Sequence, residues 1–135
     1  MTQAAIQEVY EFIKAAETYY LATVDGDQPR VRPFGTIELF AGRLYIQTGL
    51  RKDVAKQIQV NPKVELSAFK DGIWVRLRGT LVHDPDVEAQ AHMLAAYPIL
   101  QDRYAVDDGN NAVFYFVDAA ATFFSFSDEP RLLTL

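Results

Sequence analysis

The 135-residue chain has no cysteine, which excludes disulfides, thiolate nucleophiles and cysteine-ligated metals. Only two histidines occur, His83 and His92, too few for a histidine metal cluster, and no metal is expected. Long apolar runs are missing too: no stretch of about 18 residues is free of charge, so no helical membrane span is expected. The start, MTQAAIQEVYEFIKAAETYY, lacks a signal-peptide pattern. Glu8, Glu11 and Lys14 interleave there with Ile6, Val9, Tyr10 and Ile13 at the spacing of an amphipathic helix. A cytoplasmic, soluble protein is the resulting expectation. Positive charge is scarce, and a net charge of −5 runs against nucleic-acid binding, which needs a basic face for the phosphate backbone.

What is present is hydrophobic and aromatic, 50% and 13% of the residues, enough for one domain spanning 1–135. Tyr19 to Asp25 reads as a strand, Gly26-Asp27 as a tight turn, and Pro29 to Phe40 as a second extended run. In that run Pro33 cannot donate to a ladder and Gly35 has no side chain. This predicts an edge, a bulge or a place where something approaches the backbone closely. Arg43 to Thr48 is a further strand, Lys52 to Val60 a short helix stopped by Asn61-Pro62, and Lys63 to Phe69 pairs through Asp71-Gly72 with Ile73 to His83. Asp84 or Asp86 caps a helix over Val87 to Tyr97, limited by Pro98. Gln101 to Asn111 reads as a polar surface loop, followed by two extended runs, Ala112 to Val117 and Ala121 to Phe126. The sum is a mainly β protein: a six- to seven-stranded antiparallel closed or split β-barrel with short flanking helices.

The junction Tyr-Ile-Gln-Thr-Gly-Leu-Arg-Lys-Asp (45–53) places two cations, Arg51 and Lys52, at a helix start. A helix N-terminus already carries roughly half a positive charge and several free N–H donors. Two readings are open. Either both side chains extend into water with Asp53 offsetting them, or they share an anion, for which a phosphate is the natural choice. Arg76 is open in the same way, since a cross-strand pair with Glu65 would satisfy it.

Three segments, LATVDGDQPRVRPFG (21–35), GRLYIQTGLRKDVAKQIQVNPKVEL (42–66) and WVRLRGT (74–80), in this order and spacing, resemble the pyridoxamine 5′-phosphate oxidase-like FMN-binding split-barrel family. The resemblance covers roughly residues 5 to 126 and is nearest to the small proteins grouped with nitroimidazole-resistance reductases. It implies a homodimer with FMN at the subunit interface. Arg30 or Arg32, with Thr48, Arg51 and Lys52, would hold the phosphate, and Gln47 would lie nearby. Pro33, Phe34, Gly35 and Thr36 would run beside the isoalloxazine ring. Trp74 and Arg76 would reach toward the flavin of the neighbouring subunit.

The function so implied is that of an FMN-dependent oxidoreductase acting on a small organic substrate, with NAD(P)H as a possible donor. The flavin would do the redox chemistry, so no catalytic acid or nucleophile need be visible, and none is assigned. A non-catalytic flavin carrier or sensor is the alternative. A haem or deazaflavin binder is a third, with His83 as a conceivable axial ligand. Neither histidine forms a triad-like arrangement, and both are expected at the surface or at caps.

Overall fold

The computed structural model describes residues 3–135; Met1 and Thr2, the first two residues of the expected N-terminal helix segment, lie outside the described residues. The chain runs α1 (Gln3–Ala16), β1 (Tyr19–Asp25), β2 (Gln28–Phe34), β3 (Glu38–Phe40), β4 (Arg43–Gly49), α2 (Asp53–Val60), β5 (Lys63–Lys70), β6 (Ile73–Asp84), α3 (Val87–Ala96), a 3-10 helix (Pro98–Asp102), β7 (Asn111–Ser125) and β8 (Arg131–Thr134). Every strand pairing is antiparallel. No helix among the described residues is long and apolar enough to cross a membrane.

The pairing order β2-β1-β5-β6-β7-β4-β3, with β8 on β7, explains the barrel. Laid flat, β2 and β3 would stand six strand steps apart, about 29 Å at ~4.8 Å per step. Yet residues 35–37 alone join them, and that link from Phe34 to Glu38 spans at most about 14 Å. The sheet must therefore curl until its two edges nearly meet. What remains between them is a split, bridged by Gly35, Thr36 and Ile37.

The expected continuous run from Pro29 to Phe40 is thus two strands on opposite sheet edges. Conversely, the two expected C-terminal runs are one strand, β7. Arg78 pairs with Ala120 and Thr80 with Val117, so Asp118 and Ala119 face Gly79 alone. Such a bulge bends a strand without ending it, and Asp118 takes a left-handed φ of 50° within it. Gly79 is needed there, because a Cβ would stand 3.0 Å from the Phe116 ring and 3.1 Å from the Ala119 Cβ. Eight strands result, against the six or seven expected: the division and the fusion cancel, and β8 was not anticipated.

The core fills the curl. Alternate residues of the strands (Tyr19 and Leu21, Leu66 and Ala68, Val75 and Leu77) point inward and meet Ile6, Val9 and Ile13 of α1 and Val54, Ala55 and Ile58 of α2. The Asp71-Gly72 hairpin turn takes positive φ at both residues, 52° and 79°, the primed geometry that suits the twist of paired strands. Asp86, not Asp84, caps α3, accepting from the Glu88 N–H at 3.0 Å.

Candidate functional site

A cavity of about 480 Å³ opens at the split, a volume ordinary for small-molecule sites. One wall is the end of β2 and the link to β3: Arg32, Pro33, Phe34, Gly35 and Thr36. The floor is Gln47 and Thr48 of β4 with Lys52 and Val54 at the start of α2, and the opposite wall is Ile99, Leu100, Asp102, Arg103 and Tyr104. The fold thus brings together most of the residues expected at the site. Arg30, Arg51, Trp74 and Arg76 are not part of this lining.

Each of those four has a local explanation. Arg30 donates through Nε to Asp25 Oδ2 at 3.1 Å across the β1–β2 hairpin. Arg51 is exposed, and its backbone N–H donates to Asn110 Oδ1 at 3.0 Å. Trp74 and Arg76 stand on the outer sheet face. The indole stacks on Phe124 at 5.5 Å, and the Arg76 guanidinium lies 4.3 Å over the same ring. The alternative considered for Arg76, a pair with Glu65, does not form, because the β5–β6 register sets Glu65 opposite Arg78 and Ser67 opposite Arg76.

Arg32 differs from Arg30. Its side chain turns inward and donates to Thr23 Oγ1 at 2.6 Å, Gln57 Oε1 at 2.8 Å and the Leu21 carbonyl at 3.2 Å. These partners are neutral. Burial, and then the charge of Arg30, pull its affinity for the proton below the arginine norm. Among the described residues, no carboxylate lies within ion-pair distance of Arg32, Lys52 or Arg103. Lys52 occupies the N-cap of α2 in extended backbone, and its side chain makes no capping bond. Two cations without an ion-pair partner, Arg32 and Lys52, thus meet at one end of the cavity, while Asp102 and Arg103 line the opposite wall. On the floor the Thr48 residue is 3% exposed, and Gln47 is held by Asn111 Oδ1 and the Thr48 carbonyl at 2.9 and 3.1 Å.

The Gly35 wall is open backbone. A Cβ there would meet nothing nearer than the Glu17 carbonyl at 3.8 Å, so packing within the chain does not demand a glycine. Gly49 is the contrary case: a Cβ would come within 2.8 Å of the Tyr104 hydroxyl. That close approach seats Tyr104 against the cavity floor.

The opposite wall was missed in the sequence, which read 101–111 as a surface loop. The loop that follows this wall is closed by Asp108, whose carboxylate accepts from the N–H groups of Ala105, Asn110 and Asn111 at 2.9, 2.8 and 2.5 Å. The Asn111 bond leads in holding that carboxyl below its ordinary range. The Asp-Asp-Gly-Asn run was the available signal, since Asp commonly bonds backbone N–H groups nearby.

Behind the first wall lies a second polar group. Glu38 Oε2 accepts from Lys14 Nζ at 2.6 Å and the Tyr10 hydroxyl at 2.9 Å, and Oε1 lies 2.9 Å from His92 Nε2. His92 is thus half-buried against a carboxylate, not the surface or capping residue expected; α3 turns it inward over Phe40. His83 is exposed on β6 beside the Phe114 ring. Burial raises the Glu38 carboxyl, but the bonds from Lys14, Tyr10 and His92 outweigh it and hold the group below its ordinary 4.5. Burial and then Glu38 push the Tyr10 hydroxyl up to about 12.

A depressed carboxyl stabilises the fold above its unfolded pKa, and that stabilisation is lost as pH falls through the folded pKa. Urea midpoints should therefore drop on acidification from pH 5 toward 3, near the unfolded carboxylate value of about 4.3. Glu38→Gln should be less stable at pH 7 and show a shallower acid limb. Parallel profiles for the two proteins would assign the acid sensitivity elsewhere.

Fold and site together define an antiparallel split barrel with a cavity between its sheet edges, lined at one end by Arg32 and Lys52. A sequence model described as pyridoxamine 5′-phosphate oxidase matches residues 5–120, and the chain belongs to that family. A NimC/NimA family protein from Clostridium acetobutylicum is 44% identical, covering 94% of this chain and 92% of its own, with a TM-score of 0.89. A pyridoxamine 5′-phosphate oxidase-related, FMN-binding protein from Nostoc punctiforme shares the fold at 16% identity, covering 98% and 95%, TM-score 0.67. So does a heme-binding protein from Mycobacterium smegmatis, at 16% identity over 99% of this chain and 58% of its own, TM-score 0.75. A comparison with curated protein sequences returns no match.

Proposed function

We propose that the cavity holds FMN and that the protein is a flavin-dependent oxidoreductase of a small organic substrate. The observation that carries this is the pairing of two surfaces in one cavity. Arg32 and Lys52 face it with no carboxylate partner, and the Pro33–Thr36 backbone lines it with no side chain at Gly35. A phosphate suits the first surface, because it supplies the missing anion beside a helix start. A flat ring suits the second, because open backbone permits close approach and offers hydrogen bonds to a polar ring edge.

In this reading Arg32, Lys52 and Thr48 hold the phosphate, and Pro33, Phe34, Gly35 and Thr36 orient the ring. When bound, the flavin supplies hydride or electron transfer. The chain's own residues bind it, fix its orientation and limit solvent through Leu100, Ile99 and Tyr104. Arg51 contributes long-range positive charge, whereas the charge of Arg30 is offset by Asp25. Trp74, Phe124, the 60%-exposed Phe69 and the 87%-exposed Phe126 form an outer aromatic face that suits a second copy of the chain. From that face Trp74 and Arg76 would approach the partner's flavin.

The visible spectrum and hydrodynamic mass of the purified protein test this reading together. Oxidised-flavin bands, or their appearance on FMN titration, and a dimeric mass are expected. A Soret band, or a protein that takes up no flavin, would sink it. Anaerobic NADH or NADPH should then bleach the bound flavin. A spectrum that stays oxidised with both donors would favour a flavin carrier.

A further inference from the structure

Ile37 sits in the link between β2 and β3, outside either strand, so no neighbouring strand pairs its backbone. Side chains take the place of that strand: Lys14 Nζ makes one long bond to the Ile37 carbonyl, at 3.5 Å, and Tyr97 makes two short ones and alone holds the N–H. The Tyr97 hydroxyl donates to the Ile37 carbonyl at 2.9 Å and accepts from the Ile37 N–H at 3.0 Å. It also accepts from Lys14 Nζ at 2.8 Å, which saturates the hydroxyl's one proton and two lone pairs. The adjacent Thr36 carbonyl is pinned as well, by the fully buried Tyr19 hydroxyl at 2.6 Å.

Tyr97 has a second connection. It is the residue between α3 and the Pro98–Asp102 3-10 helix, and that helix opens the opposite wall of the cavity. The side chain of Tyr97 thus grips the end of one wall while its main chain begins the other. Its position is fixed from a third direction by Lys14 of α1, whose ammonium also lies 4.1 Å over the Tyr97 ring.

We propose that Tyr97 is a positioning residue of the flavin cavity: it sets the separation of the two walls by tying the Ile37 backbone to the start of the 3-10 helix. The proposal rests on the flavin reading for its consequence, but the tie itself does not. With Thr36 and Ile37 held, the polar groups at Gly35 keep a fixed distance from Leu100 and Tyr104, and a planar ring entering between them meets a preorganised slot.

Tyr97→Phe removes the hydroxyl and keeps the ring under Lys14. Tyr10→Phe is its control, because it removes a bond to Glu38 in the same polar group without touching the wall backbone. Hydrogen exchange of the ligand-free protein should show the Ile37 amide about tenfold faster in Tyr97→Phe and within about twofold of wild type in Tyr10→Phe. FMN dissociation constants should follow the same split, about tenfold weaker against near-unchanged, and the shape of the bound flavin's visible band should change only in Tyr97→Phe. Exchange at Ile37 unchanged in Tyr97→Phe would overturn the tie. Faster exchange with unchanged affinity and spectrum, or equal losses in both variants, would overturn its role in the cavity. If wild type takes up no FMN, the flavin reading fails, and the exchange data still decide the tie.

Discussion

Lys52→Ala is expected to raise the FMN dissociation constant about 10- to 100-fold, the range that losing one charge-assisted hydrogen bond of ~1.5–3 kcal/mol produces. Its cost in stability should be small, within about 0.5 kcal/mol, because the side chain is exposed and caps nothing. Arg32→Ala should weaken binding similarly but also cost some stability, since three hydrogen bonds to Thr23, Gln57 and Leu21 go with it. Thr23 and Gln57 remain bonded to each other at 2.6 Å, so the fold should survive. Combining the two changes should leave a protein that loses flavin on desalting.

Arg51→Ala supplies the contrast. Sequence alone made Arg51 and Lys52 equal partners, whereas only Lys52 lines the cavity. The bond from Arg51 to Asn110 uses the main chain and persists in alanine. Affinity in Arg51→Ala should stay within about twofold of wild type, the change expected of a screened surface charge. Flavin titrations at two salt concentrations check all of these. A loss in Arg51→Ala as large as in Lys52→Ala, or none in Lys52→Ala, would move the phosphate away from the cavity floor.

Phe114→Ala should be the most destabilising of these substitutions, at about 3–5 kcal/mol by chemical denaturation. Phe114 is 1% exposed on β7, the strand that joins the two halves of the sheet by pairing with β6 on one side and β4 on the other. Its register partners are Ile46 and His83, and it packs within the main core cluster. Removing the ring leaves a cavity that paired strands on both sides keep from collapsing. Against a total stability of roughly 5–15 kcal/mol, such a loss should visibly lower the melting temperature. A cost under about 1 kcal/mol would mean that the neighbours close over the space.

Much of this fold is written locally. Alternation of apolar residues located β1, β5 and β6, Asp71-Gly72 marked their hairpin, and Asn61-Pro62 ended α2 where it was expected to end. Pro33 lies on β2, an edge of the sheet, which is one of the three places the sequence allowed for that stretch. The errors fell where local pattern cannot see the partner strand. The run from Pro29 to Phe40 alternates continuously, yet its halves pair with β1 and β4 on opposite edges. A bulge opposite Gly79 keeps β7 continuous where two runs, one ending at Val117 and the next starting at Ala121, were expected.

The site divides in the same manner. By itself the sequence determined two cations at a helix start, a threonine at the preceding strand end and a Pro-Phe-Gly stretch without a ladder donor at Pro33, because turn chemistry, strand alternation and charge at a helix start act between near neighbours. Tertiary structure alone decided that Arg32 faces the cavity while Arg30 pairs with Asp25. It also decided that residues between 99 and 104 form the second wall, and that Tyr97 bonds the backbone at the end of the first. Those outcomes depend on which edge the curled sheet brings to which, a consequence of pairing between strands far apart in the chain.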